Sequence, residues 1–197
     1  MNWPRKAEVA RRTAETDVKL KLNVDGRGEA GISTGIGFFD HMLVLFARHG
    51  LFDLEVNAVG DLRVDAHHTV EDVAICLGRA LKEALGEKKG ITRFGHALVP
   101  MDEALALVAA DLSGRSYLSF SGELPRVKVG DFDTELVEEF LRALAANGEF
   151  TLHVKILDGK NSHHICEAVF KALGRALRAA AEYDGRQPGV PSTKGTL

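Results

Sequence analysis

The string DAHHTVEDV begins at Asp65, and a close copy, NSHHICEAV, begins at Asn161. Each contains His-His-x-x-Glu and opens an apolar-periodic run. HHTVEDVAICLGRALKEAL from His67 lies over HHICEAVFKALGRALRAAA from His163, sharing the His pair, the Glu four residues after its first His, and a Leu-Gly-Arg-Ala-Leu segment. Upstream, FFDHMLVLFARHGLFDLEV from Phe38 lies over LVEEFLRALAANGEFTLHV from Leu136. A chain written twice is tightly constrained, because the same supersecondary unit must form twice and the two copies must bury their apolar faces together.

Each copy reads helix, Gly-containing turn, strand, loop, helix. Val70, Val73, Leu77, Leu81 and Leu85 make one helical stripe, and Ile165, Val169, Leu173 and Leu177 repeat it. Both helices are amphipathic and need a flat surface to pack on. Period-two alternation in TDVKLKLNVD from Thr16, with Val18, Leu20, Leu22 and Val24 on one face, supplies a strand, as do HALVPM from His96 and ALALVAADLS from Ala104. The predicted fold is α+β, an internal duplication of two βαβα-type half-domains with sheets backed by helix pairs. The halves are expected to meet in the polar turn EKKGITRFG, giving 1–91 and 92–197, the second with a C-terminal tail, in one compact unit.

A length of 197 residues suffices for one core shared by two such halves. The formal net charge of -3, with both signs interspersed, leaves no electrostatic footprint for nucleic acid or an anionic membrane, so the expected partner is a small molecule. No apolar run reaches bilayer length, and the opening MNWPRKAEVARRTAE lacks the apolar core of a signal peptide; a cytoplasmic protein is expected. Cys76 and Cys166 sit in helical patterns at a spacing that is neither a metal nor a redox motif, and read as buried reduced thiols.

On a helix, residues four apart share a face and adjacent residues diverge. His67 with Glu71, and His163 with Glu167, can therefore each grip one ion, while His68 and His164 point elsewhere and serve a second ion or none. His41, before a helix, and His153, in the strand FTLHVKIL, bring the count to six His and two Glu, enough for three His and one Glu on each of two ions. His49 and His96 are read as ordinary surface or hydrogen-bonded side chains. A divalent ion with three neutral imidazoles and one carboxylate keeps a net charge of about +1 and attracts an anionic ligand. Four protein ligands close a tetrahedral zinc but leave openings on six-coordinate manganese or iron, so catalysis favours the latter.

GFFDHM, DAHHTVED, TRFG, PMDEALA, LSGR, HHICEAVFKALGRALR and the final PSTKGTL, in this order, resemble the imidazoleglycerol-phosphate dehydratase family almost from end to end. The resemblance implies a duplicated fold, two manganese ions per active site held by His41, His67, His68, Glu71, His153, His163, His164 and Glu167, and a hollow assembly of 24 subunits with active sites at subunit interfaces. The implied reaction is loss of water from imidazole glycerol phosphate through an imidazolate-to-diazafulvene route, giving imidazole acetol phosphate. It further implies catalytic roles for Glu15, the acid/base residue, and for His41, Glu71 and Glu167. Arg93, Arg115, Lys171, Ser192, Thr193 and Lys194 match the family's phosphate-binding residues, with Glu15 also at the substrate. Val44 and Leu45 replace the family's common Asp-Gln after DHML, and a monofunctional enzyme is expected. Two rival readings remain: a two-metal hydrolase, although no bridging carboxylate is evident, and a ferritin-like metal store, although its sites use Glu-x-x-His on a four-helix bundle.

Overall fold

The computed structural model describes residues 5–197; the first four residues, with which the opening segment and the first half begin, lie outside them. Alternating burial makes the strands. In β2 (Thr16–Asn23), Val18, Leu20 and Leu22 are buried between exposed Lys19 and Lys21. β2 forms a hairpin with β1 (Lys6–Arg12), and β3 (Ala30–Ser33), α1 (Gly37–Gly50), β4 (Asp53–Gly60) and α2 (His67–Leu85) follow. The second half repeats the plan: a hairpin of β5 (Phe94–Met101) and β6 (Ala104–Asp111), then β7 (Tyr117–Ser121), α3 (Leu136–Gly148), β10 (Thr151–Asp158) and α4 (Ser162–Ala181). A small hairpin, β8 (Lys128–Val129) with β9 (Phe132–Asp133), is inserted before α3. The expected βαβα unit is present in each half, preceded by an antiparallel hairpin.

The sheets have matching orders, β1-β2-β4-β3 and β5-β6-β10-β7. In each, the strand between the two helices lies centrally, antiparallel to the hairpin and parallel to the edge strand. A parallel neighbour requires a crossover, which α1 and α3 provide.

α1 and α2 back the first sheet and α3 and α4 the second, but the helices pair across the halves, α1 on α4 and α2 on α3. A four-helix layer therefore fills the space between the sheets, and the apolar stripes read from the sequence bury one copy against the other. The shared Leu-Gly-Arg-Ala-Leu segment marks the crossings. A Cβ at Gly174 would stand 2.9 Å from the Gly50 nitrogen and nearer still to the Phe46 carbonyl, and one at Gly78 would stand 2.7 Å from the Leu144 carbonyl. Glycine is required at both positions because the obstructing atoms are backbone. No helix among the described residues is long and apolar enough to cross a membrane, and both cysteines are buried and unpaired.

Candidate active site

The two His-pair helices start alike. Asp65 Oδ1 accepts from the His67 N–H at 2.8 Å, and Asn161 Oδ1 from the His163 N–H at 2.9 Å. Asn161 is the N-cap of α4, and Asp65, one residue before the N-cap of α2, makes the equivalent bond. The adjacent rings then diverge as expected, with centroids 6.0 Å apart at 88° in the first pair and 6.2 Å apart at 83° in the second.

On α4, His163 and Glu167 face one another one turn apart, and the α1 crossing brings His41 to them. His41 Nε2 lies 2.8 Å and His163 Nε2 3.1 Å from the same oxygen, Glu167 Oε1, while Lys171, a further turn along, donates to Oε2 at 2.6 Å. Burial pushes the Glu167 carboxyl up, but the hydrogen bonds from Lys171, His41 and His163 outweigh it and hold the pKa at about 2. The group is therefore ionised at neutral pH. The three ligand atoms of His41, His163 and Glu167 lie within 4.8 Å of one another. Two imidazole nitrogens and a carboxylate oxygen aimed at one point fit a divalent transition-metal ion.

A second grouping forms at the start of α2, where Glu15, Asp61 and His68 meet the same distance criterion. The β1–β2 turn carries Glu15 there. Thr13 Oγ1 accepts from the N–H groups of Glu15 and Thr16 at 3.1 and 2.9 Å, which folds the turn. The turn is anchored to buried Asp72, to which Arg11 Nε donates at 2.6 Å and Thr16 Oγ1 also donates. Asp72 is one helical turn beyond His68, so the anchor fixes Glu15 beside that ring. Asp61, just after β4, reaches His68 Nδ1 at 3.0 Å, and Glu15 stays 3.7 Å from it. The Asp61 hydrogen bond raises the His68 pKa.

His67 and Glu71 are half-buried on α2 and belong to neither grouping. His164 turns to Glu103 in the β5–β6 turn, Nδ1 to Oε2 at 2.8 Å. His153 is exposed on the outer face of β10, its ring 5.9 Å from Tyr117, away from both groupings. His96 is exposed on β5, and burial, with nearby Lys171, lowers the pKa of His49. Val44 and Leu45 are half-buried on α1, Leu45 against the core. Glu139 was not singled out by the spacing of the motifs, yet the repeat lays it over His41, and it is half-buried on α3, which packs on α2 as α1 packs on α4. Alignment of the two halves is the signal that finds it.

Arg93, Arg115, Ser192, Thr193 and Lys194 line one open cavity of about 640 Å³, walled in part by the C-terminal tail. Arg93 has a left-handed backbone (φ 73°). Its guanidinium is forked onto Asp111, at 2.7 and 3.2 Å, and donates to the Pro191 carbonyl at 2.8 Å, tying the tail to the second sheet. An arginine oriented in this way beside Arg115 and Lys194 suits a phosphate. Lys171, expected among these residues, is instead bound to Glu167.

The family model described as imidazoleglycerol-phosphate dehydratase matches residues 34–177. The imidazoleglycerol-phosphate dehydratase of Acetivibrio thermocellus is 65% identical over 98% of this chain and 99% of its own length. That of Desulforudis audaxviator is 63% identical over 98% of each. Among solved structures, the enzyme of Staphylococcus aureus superposes with a TM-score of 0.82 at 42% identity, covering 91% of this chain and 99% of that one. The Pyrococcus furiosus enzyme, in complex with (S)-C348, gives 0.83 at 42% identity over 96% and 100%. With the duplicated architecture, the imidazole–carboxylate grouping and the basic cavity all in place, this chain belongs to the imidazoleglycerol-phosphate dehydratase family.

Proposed function

We propose that this chain removes water from imidazoleglycerol phosphate, a step of histidine biosynthesis, at sites that two or more copies of the chain complete around two manganese ions. One separation carries the reading. His163 and Glu167 sit at the start of α4, whereas the Arg93 N–H binds the Ala180 carbonyl at its end. At about 1.5 Å per residue, the cation donors and the phosphate donors are roughly 20–25 Å apart in one copy. The length of β5, from Met101 beside Lys171 back to Arg93, gives a similar value at about 3.3 Å per residue. From imidazole ring to phosphorus the substrate extends only about 8 Å at ordinary bond lengths. No single copy spans its own two ends, so a neighbour must supply one of them, in agreement with a closed assembly of 24 copies.

His41, His163 and Glu167 would hold one ion, with His67, His68, Glu71 and His164 as donors for sites completed by neighbours. Glu139 extends that set by pseudo-symmetry with His41, and exposed His153 joins it only where a neighbour brings donors to the outer face of β10. Neutral imidazoles with carboxylates and open positions favour manganese. When bound, the ions would supply Lewis acidity to the imidazole end of the substrate. Arg93, Arg115, Ser192, Thr193 and Lys194 orient the substrate through its phosphate. The hydroxyl leaves with its bonding electrons from the carbon next to the ring and becomes water with the proton given up by the ring N–H, while the carboxylate of Glu15 takes the proton from the next carbon and returns a proton to the carbon that lost the hydroxyl as the enol becomes the ketone. Glu15 is exposed at a turn tip fixed by Asp72, which suits a group that must meet substrate held by another copy. Small anionic chemistry of this kind belongs in the cytoplasm, where the free buried Cys76 and Cys166 stay reduced.

The test is metal analysis of the purified protein, joined to activity and particle size before chelation, after it and after manganese is restored. Activity and the large particle should both fall and return together. Full turnover by a metal-free protein, or liberation of inorganic phosphate in place of a keto phosphate, would refute the reading, the second outcome in favour of a two-metal hydrolase.

A further inference from the structure

The second histidine of each repeated pair is held by a carboxylate through the same ring nitrogen. His68 Nδ1 lies 3.0 Å from Asp61 Oδ2 and 3.2 Å from Oδ1, and His164 Nδ1 lies 2.8 Å from Glu103 Oε2. We propose that Asp61 and Glu103 are positioning residues, each accepting the Nδ1–H of its histidine and so presenting the Nε2 lone pair of His68 and His164 to a divalent cation. The inference rests on the two-metal reading above. It adds the residues that decide which nitrogen of each ring is the ligand, and in which direction it points.

A neutral imidazole has one N–H and one lone pair, and the partner of the N–H fixes which nitrogen is which. A carboxylate on Nδ1 leaves Nε2 as the ligand and raises its basicity. The Nε2 atoms have no closer claim: that of His164 is 3.8 Å from Asp102, beyond hydrogen-bond reach. His163, by contrast, turns Nε2 directly to Glu167 and needs no helper.

The two carboxylates do not descend from one another, which makes them separate observations. Asp61 immediately follows β4, and the equivalent residue after β10 is Gly159, while the neighbouring Asp158 turns its carboxylate onto the Gly159 N–H at 2.8 Å. Glu103 immediately precedes β6, and the equivalent residue before β2 is Glu15. Duplication alone would have supplied the same loop twice. Instead, the same nitrogen is satisfied from two different loops, the one after β4 and the one between β5 and β6. Glu103 is held rigidly for this, its Oε1 accepting from the N–H groups of Lys160 and Asn161 at 3.2 and 2.7 Å while Oε2 takes His164.

Glu15 gains from the arrangement. It occupies the position of Glu103, yet stands 3.7 Å from His68 Nδ1 because Asp61 has taken that nitrogen. One turn carboxylate is thereby committed to orientation, and its twin is left free for proton transfer.

The experiment compares Asp61→Ala, Asp61→Asn, Glu103→Ala and Glu103→Gln with the full-length parent. Manganese is titrated calorimetrically onto each metal-free protein, and magic-angle-spinning spectra of ¹⁵N-histidine-labelled protein report the tautomers. Each alanine variant should bind manganese about 10- to 100-fold more weakly, the range for loss of a group that orients a ligand. Each should also change the ¹⁵N pattern of one histidine. The amide variants keep an acceptor oxygen and should recover most of the affinity, which guards against a folding defect in Glu103→Ala, where the Lys160 and Asn161 contacts are lost too. Alanine variants within twofold of the parent, unchanged tautomers, or amide variants as weak as alanine would overturn the inference. If the parent itself takes up no manganese, the two-metal reading falls, and the histidine spectra still decide whether the carboxylates set the tautomers.

Discussion

The helix crossings connect the fold to the site, and substituting Gly174 tests that connection. A methyl group there would lie 2.9 Å from the Gly50 nitrogen and closer to the Phe46 carbonyl, both backbone atoms of α1 that cannot rotate away. Ordinary carbon–oxygen approach is about 3.3–3.6 Å, so α1 and α4 must separate by roughly 1 Å at the Phe46 carbonyl. Overpacking of this kind costs about 1–3 kcal/mol. Replacing glycine by alanine in a helix interior offsets about 1 kcal/mol of it. A net loss of up to about 2 kcal/mol remains, or up to about 8 °C in melting temperature for a chain of this size. The separation also stretches the His41 to Glu167 contact, now 2.8 Å, because the two residues lie on the helices being forced apart. Gly174→Ala should therefore melt lower in metal-free form, measured at fixed protein concentration, and bind manganese more weakly than the parent. Gly78→Ala, whose methyl group would meet the Leu144 carbonyl at 2.7 Å, should show the same loss of stability through α2 and α3. A Gly174→Ala protein that melts higher than the parent, by the helix-propensity gain, and takes up manganese equally would refute the backbone-contact account of the crossing.

Glu15→Gln keeps shape but cannot ionise, and steady-state kinetics should show turnover reduced about 100-fold or more with bound metal unchanged. His163→Ala should lose metal and activity by metal analysis and assay, whereas His96→Ala, on an exposed strand face outside both groupings, should stay near the parent in both. The depressed pKa of Glu167 gives a sign: its ionised form contributes stability that is fully present above the unfolded carboxyl value of about 4.3 and is lost as pH falls through about 2. In metal-free melts, the destabilisation caused by Glu167→Gln should accordingly shrink as pH falls from about 4 toward 2; a difference that instead grows over that range would reverse the sign.

The sequence displays what has a period or a copy. The stripe from Val70 to Leu85 and the alternation from Val18 to Val24 declare a helix and a strand because burial repeats at fixed intervals, and the duplicated His-x-x-x-Glu declares a chelating face. Partnership across the halves has no such signature. A stripe on α4 says that one face is buried but not that α1 covers it, so the meeting of His41 with His163 and Glu167 is visible only once the crossing at Gly174 is known. Lys171 lies at helical spacing from Glu167, and the ion pair is legible there. Asp61 and Glu103 were illegible for the opposite reason. Each shares its polar turn with a second acid, Asp65 or Asp102, and nothing in the spacing says which carboxylate reaches a histidine ring. The tail residues Ser192 to Lys194 likewise read as a fraying end until Arg93 is seen to bind the Pro191 carbonyl. What none of these local patterns contains is the separation of roughly 20–25 Å between the two ends of α4. In the proposed reading, cation donors at one end and phosphate donors at the other cannot meet a substrate of about 8 Å within one copy. A folded copy would on that reading hold every type of group the reaction needs and still lack an active site, with association between copies supplying what folding does not.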